Sequence, residues 1–318
     1  MATGPDGVLY LSSTSDLVAY DSHWKVIWNN TNALAGMPAA VNHLGDIEYN
    51  NGYIYAPAES WYGCGSYAPT LLAVYNATTG KMVTWSDITA DGHEASAVAV
   101  VPASNQVVVT SYCPNESGYT TLWNYDLNAL TTNSAGSLMT YSSTTTLSDP
   151  ISTIQGISWN ADANQFAVSA DTNGPAGSIW LVSAQGLVTG PVYTVPSSAI
   201  LELEGVDYIS GDLYYLESGT VYGVGTVPPA PQFNVAPGAY CDAQAIGISD
   251  TAASAAIYYT NDGSMPSSAS TLYSAPIAVS STMTIKAIAA LNGSVTSAQS
   301  VAAYTINASS CPASSRAR

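Results

Sequence analysis

Hydrophobic positions in the first 226 residues fall in short alternating runs, and the runs recur. Leu44-Gly45-Asp46-Ile47-Glu48-Tyr49 is followed by Gly52-Tyr53-Ile54-Tyr55. The same pattern returns at 95–100 with 106–109, at 154–159 with 165–168, and at 203–208 with 212–215. Each pair reads as a strand, a turn holding Asn, Asp or Gly, and a second strand. Two more strands generally follow, as in Thr70-Leu71-Leu72-Ala73-Val74-Tyr75 and Lys81-Met82-Val83-Thr84-Trp85. An N-terminal unit adds strands at 7–11, 16–20 and 25–28. Helical periodicity is nearly absent. Four short strands in every 50 residues or so (roughly the span of one blade) predict an all-β fold with an N-terminal β-propeller. Five blades are expected, with six as the alternative. The first and last are incomplete, and the ring is closed by strands from its two ends.

The strand Leu17-Val18-Ala19-Tyr20-Asp21 resembles bacterial propeller repeats, including the quinoprotein type, a generic likeness that implies no cofactor. Pro228-Pro229-Ala230-Pro231 is a stiff linker. It divides a propeller at 1–227 from a second domain at 232–318. That domain carries Ala256-Ile257-Tyr258-Tyr259-Thr260-Asn261-Asp262-Gly263-Ser264-Met265-Pro266, a strand running into a turn, and the strand Thr284-Ile285-Lys286-Ala287-Ile288-Ala289. With Pro231-Gln232-Phe233, Gly238-Ala239-Tyr240, Tyr273-Ser274-Ala275-Pro276-Ile277 and Tyr304-Thr305-Ile306, these resemble the chitobiase/β-hexosaminidase C-terminal module. The resemblance spans about residues 229–307. It implies a small immunoglobulin-like sandwich of the kind attached to secreted bacterial proteins, many of them carbohydrate-active. It transfers no binding residue: Gly263 supplies a positive φ and Asp262 caps the turn.

Charge narrows the function. Charged residues are 8% of 318, and the formal net charge is −17. The cations are Lys25, Lys81, Lys286, Arg316 and Arg318. Too few cations exist to neutralise phosphates, which excludes nucleic acid as a partner and an arginine clamp on phosphate esters. The arginine cluster of a sialidase is missing as well. Cys64 and Cys113 follow the second strands of successive repeats, while Cys241 and Cys311 flank the C-terminal module. The simplest pairing is Cys64–Cys113 with Cys241–Cys311, which implies an oxidising compartment. Asn29, Asn76, Asn115, Asn292 and Asn307 are glycosylation acceptors by pattern. No apolar run is long enough for a transmembrane segment. No basic-then-apolar leader opens the sequence, so an extracellular or cell-surface location requires a signal that was removed or a truncated sequence.

Aligning the repeats places His43, Glu94, Thr153 and Glu202 at one position before the inner strands, with Gly45, Ser96, Gln155 and Glu204 one layer further in. The second strands end near the same mouth with Glu59, Tyr112, Asp171 and Glu217 or Ser218. Three uses compete for these carboxyl groups. With His43 and His93 they could bind a divalent cation, calcium on oxygen ligands or a transition metal on imidazole. Glu94, Glu202 and Glu204 could supply an acid and a base or nucleophile for a glycosidic bond. Or they cap strands at blade junctions. Trp28, Trp85, Trp123, Trp159 and Trp180 sit at strand positions and read as core, and His23 reads as exposed. Trp61 and Tyr62 differ, because they lie on the Cys64 loop at the mouth, where aromatic rings suit stacking on a sugar. Gln155, Asp171, Glu59 and Glu217 complete the expected ligand site.

The leading expectation is a secreted or cell-surface, non-enzymatic glycan-binding protein with a polysaccharide partner. The alternatives are an extracellular glycoside hydrolase or polysaccharide lyase, and a structural subunit that assembles with copies of itself.

Overall fold

The computed structural model describes residues 1–318 except 66–67, 114–119, 172–176, 196–202, 210, 218, 253, 292–294 and 308–318. The chain divides into two units, Met1–Gly225 and Thr226–Arg318. Both are β-rich. No described helix is long and apolar enough to cross a membrane.

The first unit holds five successive sheets among its described residues. The first contains β1 (Ala2–Thr3), β2 (Leu9–Ser12), β3 (Leu17–Tyr20) and β4 (Val26–Asn30). The second is built on β5 (His43–Leu44), β6 (Glu48–Asn50), β7 (Tyr53–Glu59), β8 (Thr70–Asn76) and β9 (Met82–Asp87). The third has β10 (Ala97–Val101), β11 (Gln106–Thr110) and β12 (Thr121–Asp126). A short helix, α1 (Leu127–Thr132), then leads to β13 (Ser137–Leu138), which joins the second sheet beside β9, and to β14 (Ser143–Thr146), which completes the third. The fourth has β15 (Ile154–Asn160), β16 (Gln165–Ala170), β17 (Ser178–Ser183) and β18 (Val188–Thr194). The fifth has three strands, β19 (Leu203–Ile209), β20 (Asp212–Glu217) and β21 (Thr220–Thr226). The first two strands of each repeat are joined at left-handed residues: Asn51 and Gly52, Asn105, Asn164, and Gly211. Asn and Gly tolerate that backbone best, which is why the turns were visible as sequence.

The inner strands of the third sheet, β10 and β11, bury both faces against neighbouring sheets and read as nearly continuous hydrophobic runs. Val98 and Val100 pack with Tyr55, Leu72 and Val74 of the second sheet. The intervening Ala97, Ala99 and Val101 pack the other way, with Ile154, Ile157 and Phe166 of the fourth. Alternate side chains of one strand thus serve two different cores. The leading strands touch in the order β1, β6, β10, β15, β19, and β19 returns to β1.

The first sheet differs from expectation, since its four strands all come from the N-terminal stretch. Its leading strand, Ala2–Thr3, pairs over two residues only, too short to show a period of two.

In the second unit, β22 (Gln232–Phe233), β23 (Gly238–Tyr240), β24 (Gln244–Ile246) and β25 (Ile248–Ser249) precede the hairpin strand β26 (Ala256–Thr260). Then come β27 (Thr271–Leu272), β28 (Ile277–Val279), β29 (Met283–Leu291), β30 (Val295–Thr296) and β31 (Ser300–Ile306). The main sheet runs β23-β31-β29-β26-β27, and two short ladders, β22-β25 and β24-β28, accompany it. One core joins Ile246, Ile248, Ile277 and Val279 of the ladders to Ile285, Ala287 and Tyr304 of the main sheet. Gly263 takes φ 89°, and Asp262 accepts the Ser264 N–H at 2.9 Å, as the turn chemistry required.

Candidate functional site

The five sheets of the first unit surround one pocket of 290 Å³, near the lower end for small-molecule sites. Two β-bulges shape its wall. In β15 the ladder passes from Ile154 to Gly156, and in β19 from Leu203 to Gly205. Gln155 and Glu204 are the extra residues, and a bulge re-aims its side chain. Both line the pocket, as do Gly45 and Ser96 from the same aligned position. Glu204 is exposed there.

His43 and Glu59 face each other across the β5–β7 ladder. The imidazole Nδ1 lies 3.6 Å from Glu59 Oε1. Glu59 is 1% exposed, and its Oε2 accepts the Ala95 N–H at 3.4 Å, while Oε1 lacks a hydrogen-bond partner. Burial pushes its carboxyl up to about 8, against the backbone bond from Ala95 and a side-chain bond with Glu94. Glu94, 2% exposed, is also pushed up to about 8, first by burial and then by Glu59. Two neighbouring buried carboxyl groups do not both ionise readily, so the pair carries a proton into neutral pH. Glu94 Oε2 accepts three donors: Ser111 Oγ at 2.8 Å, Tyr112 N at 2.6 Å and Cys113 N at 3.3 Å.

Those donors belong to a loop that is clamped. A disulfide joins Cys64 to Cys113 with Cα atoms 5.4 Å apart, tying the loop after β7 to the loop after β11. Cys241 is disulfide-bonded as well, and Cys311 lies outside the described residues. Asn42 fixes Trp61 from the other side. The Trp61 N–H donates to Asn42 Oδ1 at 2.7 Å, and Asn42 Nδ2 donates to the Trp61 carbonyl at 3.3 Å. The Trp61 ring meets Tyr112 edge-on at 5.8 Å and His43 at 6.2 Å, and all three line the pocket.

Deeper lies Asp46, 3% exposed, whose Oδ1 accepts from the Met1 amino group and whose Oδ2 has no hydrogen-bond partner. It fits between two strands because they carry glycine. A Cβ on Gly156 would stand 2.7 Å from Asp46 Oδ2, and one on Gly205 2.8 Å from Oδ1. Glu48 and Asp207, also buried, are raised chiefly by burial. Thr3 and Ser158 donate to Asp207 at 2.6 and 2.7 Å.

Other expected site residues lie elsewhere. Asp171 does not line the pocket: its Oδ2 accepts from Gln155 at 3.2 Å and its Oδ1 from the Leu203 N–H at 3.1 Å, so it braces a wall residue. Thr153 donates to the Asp171 carbonyl. Glu217 opposes Leu203 in the β19–β20 ladder, away from the lining. Tyr62 is 75% exposed and also off the pocket. Glu202 and Ser218 lie outside the described residues.

His43 and His93 do not converge on a metal site. His93 stacks on Trp123 at 3.9 Å, and its ring nitrogens meet Tyr125 Oη at 2.9 Å and the Glu94 carbonyl at 3.0 Å. Burial lowers its pKa. Among the described residues, no group of three or more His, Cys, Asp or Glu is set to hold an ion. The alignment missed Asn42, Asp46 and the Ser12-Ser13-Thr14 rim. The rim could have been found as small polar residues ending a second strand, once Ala2–Thr3 counted as the first.

Comparison with known proteins bears mainly on the second unit. Residues 235–301 match the chitobiase/β-hexosaminidase C-terminal domain family. This agrees with the hairpin motifs and leaves the first unit unassigned. No curated protein sequence matches the chain. Among solved structures, a gluconolactonase from Xanthomonas campestris aligns over 70% of this chain and 69% of its own, at 10% identity and a TM-score of 0.44. The expectation of a non-enzymatic glycan-binding protein is withdrawn, because the geometry of the first unit departs from it. Trp61 is a pocket wall packed against Tyr112 and His43 rather than an open stacking platform, and Tyr62 stands apart.

Proposed function

We propose that residues 1–225 form a five-bladed β-propeller whose axial pocket is the active site of a hydrolase working by general acid–base catalysis. The cyclic order of contacts among β1, β6, β10, β15 and β19 supports the five-bladed ring. One observation carries the catalytic reading: buried Glu59 presents Oε1 in the pocket, 3.6 Å from His43 Nδ1 and without a hydrogen-bond partner, where burial pushes its carboxyl up to about 8. In the reaction, His43 takes a proton from water as the water oxygen attacks the carbonyl carbon of an ester or lactone. An acid and base 3.6 Å apart are too close for direct displacement at a glycosidic carbon. Glu59 delivers its proton to the departing oxygen as the C–O bond breaks. Glu94 anchors the 111–113 loop beside Glu59, whose proton is held by burial.

The second unit is an immunoglobulin-like sandwich appended to this catalytic unit, and the chain works outside the cell. The family match and the Cys64–Cys113 disulfide support that location.

A panel of p-nitrophenyl esters and sugar lactones tests the reading. One class is hydrolysed, and Glu59→Gln lowers kcat by about 10²–10⁴ with the fold intact. Glutamine matches the neutral carboxyl in shape, so folding does not confuse the result. Turnover of none of these classes, or an unchanged Glu59→Gln rate, overturns the proposal.

A further inference from the structure

We propose that Gln155 binds the carbonyl oxygen of the substrate, donating an amide N–H to the charge that gathers there, and that Asp171 is the positioning residue that aims it. The inference rests on the pocket being a hydrolase site and adds the group that an acid and a base leave out.

Hydrolysis of an ester or lactone moves charge onto one atom. As the water oxygen bonds to the carbonyl carbon, the C=O π pair retreats to the carbonyl oxygen. It returns when the bond to the departing oxygen breaks and Glu59 gives that oxygen a proton. In between, the carbonyl oxygen needs a donor held in place beforehand. Other polar groups of the lining are committed or loosely placed. Ser12 Oγ donates to the Gly45 carbonyl at 2.9 Å. Thr110 Oγ1 donates to the Ala97 carbonyl at 3.3 Å, so Ser96 Oγ gives its hydrogen to Thr110 at 3.1 Å. Ser13 and Thr14 stand exposed at the rim.

Gln155 meets the requirement. It is half-buried in the lining, and the β15 bulge turns it inward. Its Nε2 donates to Asp171 Oδ2 at 3.2 Å. Asp171 Oδ1 accepts the Leu203 N–H at 3.1 Å, so both oxygens act as acceptors. The Gln155 amide must therefore turn its nitrogen, not its oxygen, towards Asp171. That nitrogen carries two hydrogens in one plane. With the first held on Asp171 the second is fixed in direction, and it has no partner among the described residues. Gln155 comes from the fourth sheet, and His43 and Glu59 come from the second. Donor and acid thus reach a substrate from different sides of a 290 Å³ pocket.

Calorimetric titration of the whole protein with δ-valerolactam and with the matching thiolactam reads this donor without requiring turnover. The probes differ at one atom, and sulfur is the poorer acceptor. The ratio of lactam to thiolactam affinity falls about fivefold in Gln155→Ala, the worth of one hydrogen bond. Asp171→Asn lowers the ratio too, because an asparagine there can turn its own N–H on Gln155 and reverse the amide. Trp61→Phe, which removes the indole N–H and keeps a ring, leaves the ratio unchanged. On a hydrolysed substrate, Gln155→Ala lowers kcat by about 10²-fold and changes KM little. A ratio that ignores Gln155→Ala, or falls in Trp61→Phe instead, overturns the proposal, as does binding of neither probe. A ratio that ignores Asp171→Asn alone removes the positioning role. If the ratio falls in Gln155→Ala while no ester or lactone is turned over, the carbonyl donor stands and the hydrolase reading falls. If turnover depends on Glu59 but the ratio and kcat ignore Gln155→Ala, the reverse holds.

Discussion

Glu59 and Glu94 give up water on folding, and burial raises each carboxyl from 4.5 to about 8. Between those values the unfolded chain has released protons that the folded one keeps. Stability is therefore fullest below about pH 4.5 and is lost as pH rises through 8, by up to about 1.4 kcal/mol per pH unit for each group. Glu48 and Asp207 shift in the same direction and add to the slope. Thermal melts from pH 5 to 8 will show a falling midpoint, and Glu59→Gln will flatten the fall. A midpoint that stays level or rises over this range contradicts the account. Sequence could single out these carboxyl groups by repeat alignment, but not their protonation. That property comes from Ala95, Ser111 and the 112–113 backbone closing over them, contacts with no local signal.

At the scale of elements, bulges and one disulfide build the pocket. Gln155 and Glu204 were legible as wall residues because they align with Gly45 and Ser96. The bulges that turn them inward were not, because an extra residue only becomes visible against its partner strand. The Cys64–Cys113 bridge was legible from its spacing across two repeats, and it closes a loop of 49 residues. Cross-linking a loop of that length stabilises a fold by about 4 kcal/mol in the chain-entropy picture. Replacing both cysteines with serine will lower stability by roughly that amount in urea titrations. It will also cut kcat/KM, because Tyr112 and Cys113 lose the clamp that holds them on Glu94. A double variant as stable and as active as the native protein would remove the bridge from the account.

On the scale of the whole molecule, two units carry separate cores, one shared among stacked sheets and one inside residues 226–318. Residues 226–318 expressed alone will therefore fold and melt cooperatively, as dispersed amide resonances will report; a collapsed, non-cooperative product contradicts that. Repeats and turn residues made the all-β architecture readable, and the hairpin motifs made the second unit's family readable. The first sheet was misread because Ala2–Thr3 is too short to show a strand pattern. Trp61 on a loop looks like a sugar platform until Tyr112 and His43 pack against its ring. The central claim, that Glu59 is the pocket's acid, is tested most directly by kcat/KM against pH for the native protein and Glu59→Gln on one hydrolysed substrate. The native rate will fall above about pH 8 as Glu59 loses its proton, and the variant will lack that limb and run at least about 100-fold slower at pH 7. A variant that keeps both the rate and the alkaline limb would contradict the claim.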